Sequence, residues 1–293
     1  MTRTTDRVGA RAKLVAIGDN CLDAFVNKNV LTVGGNALNV AVYWRRAGWD
    51  AGYFGAVGRD PEGDLLLAEI AAAGLDPEHV ERRCGDTAVT LLCDDAGERR
   101  FLLEAFGVGA HYMPSPQCYA QAAAADWVHL GTNANPELVR RLVADAVPFS
   151  IDLSTAPLAL PLDGVPLVFG SAKEPVEPLL AALRAAGARQ VVLTCGRAGA
   201  YFHDGTRLRH VAAVPVEVVD TCGAGDSFIA AFLTAWHFGD GDRDADLALA
   251  QAAHAAARTC THLGGFPQAL RPLPDWFPAK YAGVIQAQAG QGG

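Results

Sequence analysis

The segment VVDTCGAGDSFIAAFLTAW, residues 218–236, holds residue types from which a phosphoryl-transfer site can be built. A β-like run enters Gly223, Ala224 and Gly225 and leaves as a helix. Backbone N–H groups in such a turn can converge on one point beside the positive end of the helix dipole, which makes an anion site. Asp226 follows on the first turn. A carboxylate there could accept the proton of a hydroxyl attacking a γ-phosphoryl group, while the amides stabilise the charge in transfer. The same residues could do less, with Asp226 and Ser227 capping the helix and the glycines turning the chain. A second segment, GGNALNVAVYWRRAGWD at 34–50, starts with Gly34 and Gly35, which permit close backbone approach to a ligand. Asn36 and Asn39, three apart on a helix, face one way and offer amide donors and acceptors to the hydroxyls of a polyol. A glycine turn with Asn36 as N-cap is the plainer alternative. In a third segment, IGDNCLDAF at 17–25, Asp19, Asn20 and Asp23 could bracket sugar hydroxyls or satisfy a turn. They follow the first strand at the end where α/β sheets place ligands.

These residues need elements to hold them. Residues 13–17 read as a buried strand ending at Gly18, and residues 36–47 as a helix stopped by Gly48. A strand near 51–57 then precedes a helix from Pro61 to Ala73, and strand and helix signals continue to alternate as far as QVVLTCG at 190–196. Such alternation predicts a parallel sheet with helices on both faces. The pattern breaks at 79–104, where two β-rich runs flank the turn-forming Asp94, Asp95, Ala96 and Gly97. The β-rich stretch 21–33 is too long for an ordinary βα turn and is expected to pair with that hairpin as a lid. A further hairpin is predicted near 199–212, helices at 224–237 and 244–261, and a flexible tail over 283–293.

Composition narrows the class. Of 293 residues, 51% are apolar and 19% charged, against about 25% charged in an average soluble domain, so a compact fold is expected. The net charge is −8 and no dense basic run occurs, so neither nucleic acid nor an anionic membrane is an expected partner. No stretch reads as a membrane span, and the polar N-terminus lacks the apolar core of a signal peptide, which predicts a cytoplasmic protein. Seven scattered cysteines without a C-x-x-C pair read as free thiols. A dinucleotide-dependent oxidoreductase is disfavoured, because neither G-x-G-x-x-G after the first strand nor a Walker motif is present.

Together the segments resemble the ribokinase-like, or PfkB, family of carbohydrate and nucleoside kinases, over nearly the whole chain. Its D-T-x-G-A-G-D motif matches Asp220 to Asp226, and G-G-N-x-x-N-x-A matches Gly34 to Ala41. The resemblance implies one domain spanning 1–293, an α/β fold in the form of a three-layer α/β/α sandwich, with lid segments at about 21–33 and 79–106. It implies Asp226 as catalytic base, Gly223, Ala224 and Gly225 as anion hole, and Asp23, Gly35, Asn36 and Asn39 as sugar contacts beside Asp19 and Asn20. ATP with Mg²⁺ is the implied cofactor. Glu174 would act on the metal through water, within Ser-Ala-x-Glu at 171–174, where Ser171 replaces the family's usual Asn. Thr194, Gly196, Gly199 and Cys222 would line the nucleotide. His254 would lie near the adenine, and Leu263 to Gly265 near a monovalent cation such as K⁺. This serine variant, together with I-G-D-N-C-x-D at 17–23, G-G-N-A-x-N-V-A-V-Y at 34–43 and D-T-x-G-A-G-D-S-F-I-A at 220–230, resembles the kinases of amine-linked fructose, which implies the 6-hydroxyl of fructoselysine or a related fructosamine as acceptor. Another ketose, a keto-deoxy sugar acid or a nucleoside is the runner-up, and a silent sugar or nucleotide sensor the alternative of another class. A homodimer through the lid is a further expectation.

Overall fold

Alternation within short apolar runs sets the layers. In the first strand Leu14 and Ala16 point into one core cluster and Val15 and Ile17 into another, so the strand has no wet face. The computed structural model describes residues 11–95, 98–154, 160–239 and 241–289. In chain order the strands are β1 (Lys13–Ile17), β2 (Cys21–Phe25), β3 (Val30–Gly34), β4 (Asp50–Gly58), β5 (Val80–Arg83), β6 (Val89–Asp95) and β7 (Glu98–Ala105). They continue as β8 (Trp127–Leu130), β9 (Phe149–Asp152), β10 (Leu167–Ser171), β11 (Gln190–Thr194), β12 (Ala200–His203) and β13 (Leu208–Val211). The helices are α1 (Asn36–Arg46), α2 (Pro61–Ala72), α3 (Pro116–Ala123), α4 (Pro136–Ala144) and α5 (Glu177–Ala185). After these come α6 (Ala224–Phe238), α7 (Ala245–Thr259), α8 (Trp276–Lys280) and α9 (Ala282–Ala289).

Nine strands form the main sheet in the order β13-β12-β11-β10-β9-β8-β1-β4-β5. Pairing is parallel from β5 to β11 and antiparallel through the hairpin β12–β13. Residues of α1, α2, α6 and α7 fill the core on one face, and residues of α3, α4 and α5 fill it on the other. The architecture is therefore a three-layer α/β/α sandwich. Parallel strands bring the ends of β1, β8, β9 and β10 to a common edge, which is where the cleft opens.

A separate four-stranded sheet, β3-β2-β6-β7, lies over that edge. Its register aligns Thr32, Asp23, Thr90 and Glu104 across the four strands in one row, and Leu31, Ala24, Leu91 and Leu103 in the next. Because side chains alternate, the first row faces away from the core that buries Leu31, Ala24 and Leu91. Val80–Arg83, included in the predicted lid, is instead the edge strand of the main sheet, parallel to β4. Its sequence VERR lacks an apolar alternation that would have announced it. The predicted turn at Ala96 and Gly97 lies outside the described residues, as do residues 290–293 of the tail. The rest of the tail is not flexible coil: Ala282–Ala289 is helical, and Val284 packs on the core.

Candidate active site

Asp226 sits where the chain turns into α6, 8% exposed, between two amide side chains from α1. Asn36 Nδ2 donates to Asp226 Oδ1 at 2.6 Å and Asn39 Nδ2 donates to Asp226 Oδ2 at 2.6 Å. Three residues apart on one helix, the two asparagines do face one way, as their spacing predicts. Asn36 Nδ2 also donates to Asp152 Oδ2 at 2.9 Å, and its Oδ1 accepts from the Thr132 amide at 3.1 Å. Asn36 does not cap α1. The helix's first amides, Asn36 N and Ala37 N, donate to the two oxygens of Asp19, at 2.9 and 3.2 Å. Asp19, Asp152 and Asp226 thus converge on one polar knot inside an otherwise apolar fold.

Burial dominates the electrostatics of that knot. It pushes the Asp226 carboxyl up to about 8; the Asn39 donor pulls it down, and the charges of Asp152 and Asp19 push it further up. Asp152 is raised to about 6, mainly by burial, against donors from Ser154 and Asn36. Asp19 is raised by burial too, opposed by the amides it accepts from. A proton held on Asp226 can be accommodated locally, because Asn39 Oδ1 is buried without a partner and a half-turn of the amide would let it accept.

The turn before α6 is fastened from below. Asp220 Oδ1 accepts from Cys222 N at 2.7 Å and its Oδ2 from Gly264 N at 2.9 Å, joining the turn to the 263–265 loop. Gly223 has φ +72° and a Cβ there would lie 2.1 Å from the Gly265 carbonyl, so only glycine fits. A Cβ on Gly225 would meet nothing within 4 Å, which leaves that side of the turn open to a ligand. The first-turn amides of a helix lack intrahelical acceptors, so this opening has donors to offer an anion.

A cleft of about 440 Å³ lies between the strand ends and the lid, lined by Asp19, Asn20 and Asp152 below and by Cys21, Thr90 and Glu104 above. Asn20 is less free than its sequence position implies, since Nδ2 donates to Tyr53 Oη at 2.9 Å and to the Ala56 carbonyl at 3.0 Å. Its Oδ1 is buried without a partner. Gly35 makes its close approach to the chain itself: a Cβ would stand 2.5 Å from Asn20 Cα. Asp23, half-buried on β2, lies in the lid's polar row, with Gly34 beside its carboxylate.

Elsewhere on the sheet edge, Ser171, Glu174 and Thr194 gather at the ends of β10 and β11. Ser171 pairs with Thr194, their hydroxyls are 3.4 Å apart, and Glu174 accepts from the Tyr201 hydroxyl. Gly196 (φ +55°) is open, whereas a Cβ on Gly199 would strike the Val211 carbonyl at 1.9 Å, so Gly199 seats the hairpin. His254 is not brought to this group. It is exposed on α7 and lines a groove with Tyr43, Thr234 and Arg258. Asp152 is the residue that sequence reasoning missed. A lone carboxylate closing the buried strand FSID was the available signal. Among the described residues no group of three or more His, Cys, Asp or Glu side chains is arranged to hold a metal, and no helix is long and apolar enough to cross a membrane.

Comparison with known proteins gives the family. Residues 10–146 and 165–268 match the family model described as pfkB family carbohydrate kinase. Fructoselysine 6-kinase of Escherichia coli is 37% identical over 262 residues, covering 86% of this chain and 99% of that protein. Fructosamine kinase of Bacillus subtilis is 32% identical over 268 residues, covering 87% and 93%. Among solved structures, Arabidopsis thaliana ribokinase complexed with ribose and ATP superposes with a TM-score of 0.75 at 19% identity, covering 88% of this chain and 96% of that one. A Vibrio cholerae fructokinase double mutant, in a form bound to fructose, ADP and potassium ion, gives 0.72 at 20% identity, covering 88% and 95%. The sandwich, the motif-bearing turn and these matches together make the chain a member of the PfkB family of carbohydrate kinases, phosphotransferases with an alcohol group as acceptor.

Proposed function

We propose that this chain transfers the γ-phosphate of ATP to the 6-hydroxyl of fructoselysine or a related fructosamine, with Asp226 as general base. One observation carries the mechanism: a buried carboxylate with a raised pKa adjoins an open helix N-terminus. Asp226, once ionised, takes the acceptor's proton as its oxygen attacks the γ-phosphorus, and the turn at 223–225 offers amides to the transferred group. Asn36 and Asn39 hold the base in place, and the charge of Asp152 adds to burial in keeping its proton affinity high. Asp19, Asn20 and Asp23 are the candidate contacts for the remaining hydroxyls.

The acceptor reading is supported by the two relatives named above, which cover most of the chain. For magnesium, the Ser171, Glu174 and Thr194 side chains are an all-oxygen set of the kind this ion prefers. Bound with ATP, it would neutralise charge on the β- and γ-phosphates. Thr194 and Gly196 would face the nucleotide, and the Leu263 to Gly265 loop would flank a monovalent cation.

The test is ADP release by the purified protein with Mg-ATP on fructoselysine, fructose, ribose, 2-keto-3-deoxygluconate and adenosine. The highest kcat/KM is expected on fructoselysine. A higher value on another sugar removes the fructosamine assignment and leaves the base in place. Nucleotide binding without turnover on any acceptor favours a sensor.

A further inference from the structure

We propose that Glu104, with Phe106 beside it, forms an ammonium subsite at the mouth of the acceptor cleft, by which the lid reads a positively charged amine on the sugar. This rests on the fructosamine reading above and names the part of the site that would select the amine. The lid's register carries the argument. Glu104 closes the row Thr32–Asp23–Thr90–Glu104 on β7, the edge strand. Strands in a sheet lie about 4.8 Å apart, so Glu104 stands roughly 10 Å from Asp23, beyond the reach of a sugar ring held at Asp23. A substituent leaving the ring toward the rim would meet it. Phe106, two residues on and just past the end of β7, also lines the cleft and is 48% exposed. An aromatic face beside a carboxylate suits an ammonium group and gives nothing to an anion.

The rest of the lining agrees in sign. Asp19, Asp152 and Glu104 are its acidic groups, His111 is its titratable base, and among the described lining residues there is neither Lys nor Arg. An acceptor of net negative charge, such as a sugar acid or sugar phosphate, would add like charge to this cleft, whereas the ammonium of an amine-linked sugar is attracted to it. Glu104 makes no salt bridge among the described residues, so its carboxylate is available. A charged residue on an edge strand also deters strand pairing, but that role does not distinguish one acceptor from another.

The experiment compares fructoselysine with fructose for the wild type, Glu104→Gln and Glu104→Asp, at low and high salt, with thermal melts of each protein. In Glu104→Gln, kcat/KM for fructoselysine should fall about 5- to 10-fold through KM, with fructose unchanged, as befits loss of one charged contact. Glu104→Asp should keep most of the preference, and salt should weaken it in the wild type. If Glu104→Gln keeps the full preference, or loses both acceptors equally, the ammonium subsite is overturned while the fructosamine reading stands. If the wild type itself does not prefer fructoselysine to fructose, both fall.

Discussion

The two stretches of the sheet edge are built on opposite principles. Around Asp226 the polar groups are buried or half-buried and, Asn39 Oδ1 apart, paired with one another through Asn36, Asn39 and Asp19. Around Ser171, Glu174 and Gly196 they are exposed or only loosely paired. Groups taken out of water hold their geometry without a ligand and have displaced proton affinities, which suits a proton acceptor. Hydrated groups on an open edge carry little folding energy and can rearrange around a large anion and its cation. One stretch should therefore couple activity to stability and pH, and the other should affect binding alone.

Replacing the base tests that contrast hardest. Asp226→Asn should lower kcat by more than about 10²-fold with nucleotide binding retained, as loss of a general base requires. The same variant should melt higher than the wild type as pH rises. Folding raises the Asp226 pKa from 3.8 to about 8, so its contribution to stability is full below pH 3.8 and is lost as pH climbs through 8. The asparagine has nothing to lose, and Asn39 can turn its unpaired Oδ1 toward the new amide. The gain in Tm should therefore widen between pH 4 and pH 8. A kcat near the wild-type value would remove Asp226 as base, and a pH-independent difference in Tm would remove the burial argument.

A subtler break is Asp152→Asn. It deletes the stronger of the two like charges acting on Asp226, so the acid limb of the kcat/KM profile should move down by roughly one pH unit. An unmoved limb would mean that the titrating group is not coupled to Asp152. The smallest effect belongs to the open stretch. Glu174→Gln should raise KM for Mg-ATP a few-fold and shift stability by less than about 0.5 kcal/mol, because it changes an exposed side chain. A large loss of Tm would show that this side is as structural as the other.

The alternation of strands and helices was legible because each run carries its own period, and Asp226 was legible because glycine, aspartate and helix signals fall within one short segment. Asp152 was not. An aspartate closing a buried strand looks like any strand end until the order β10-β9-β8-β1 places it opposite α1. Asn20 shows the converse, a well-placed amide whose donors are taken by Tyr53 and Ala56, contacts more than thirty residues away in the chain. The lid pairing of β2 with β6 joins segments separated by β3, α1, β4, α2 and β5, and only the β-rich composition and the length of the 21–33 stretch pointed toward it.

Asp220 has a topological consequence. One oxygen holds the turn entering α6 and the other holds Gly264 just past α7, and the amides of Val219 and Asp220 both donate to the Cys260 carbonyl. The helical hairpin is thus a loop of chain stapled shut at its base, directly beneath the turn at 223–225. Its far end, the connection between Phe238 and Ala245, is remote from that staple along both helices. The enzyme should accept new termini or a grafted domain there and keep the turn that carries Asp226, which makes this connection the natural port for a fused sensor or affinity module.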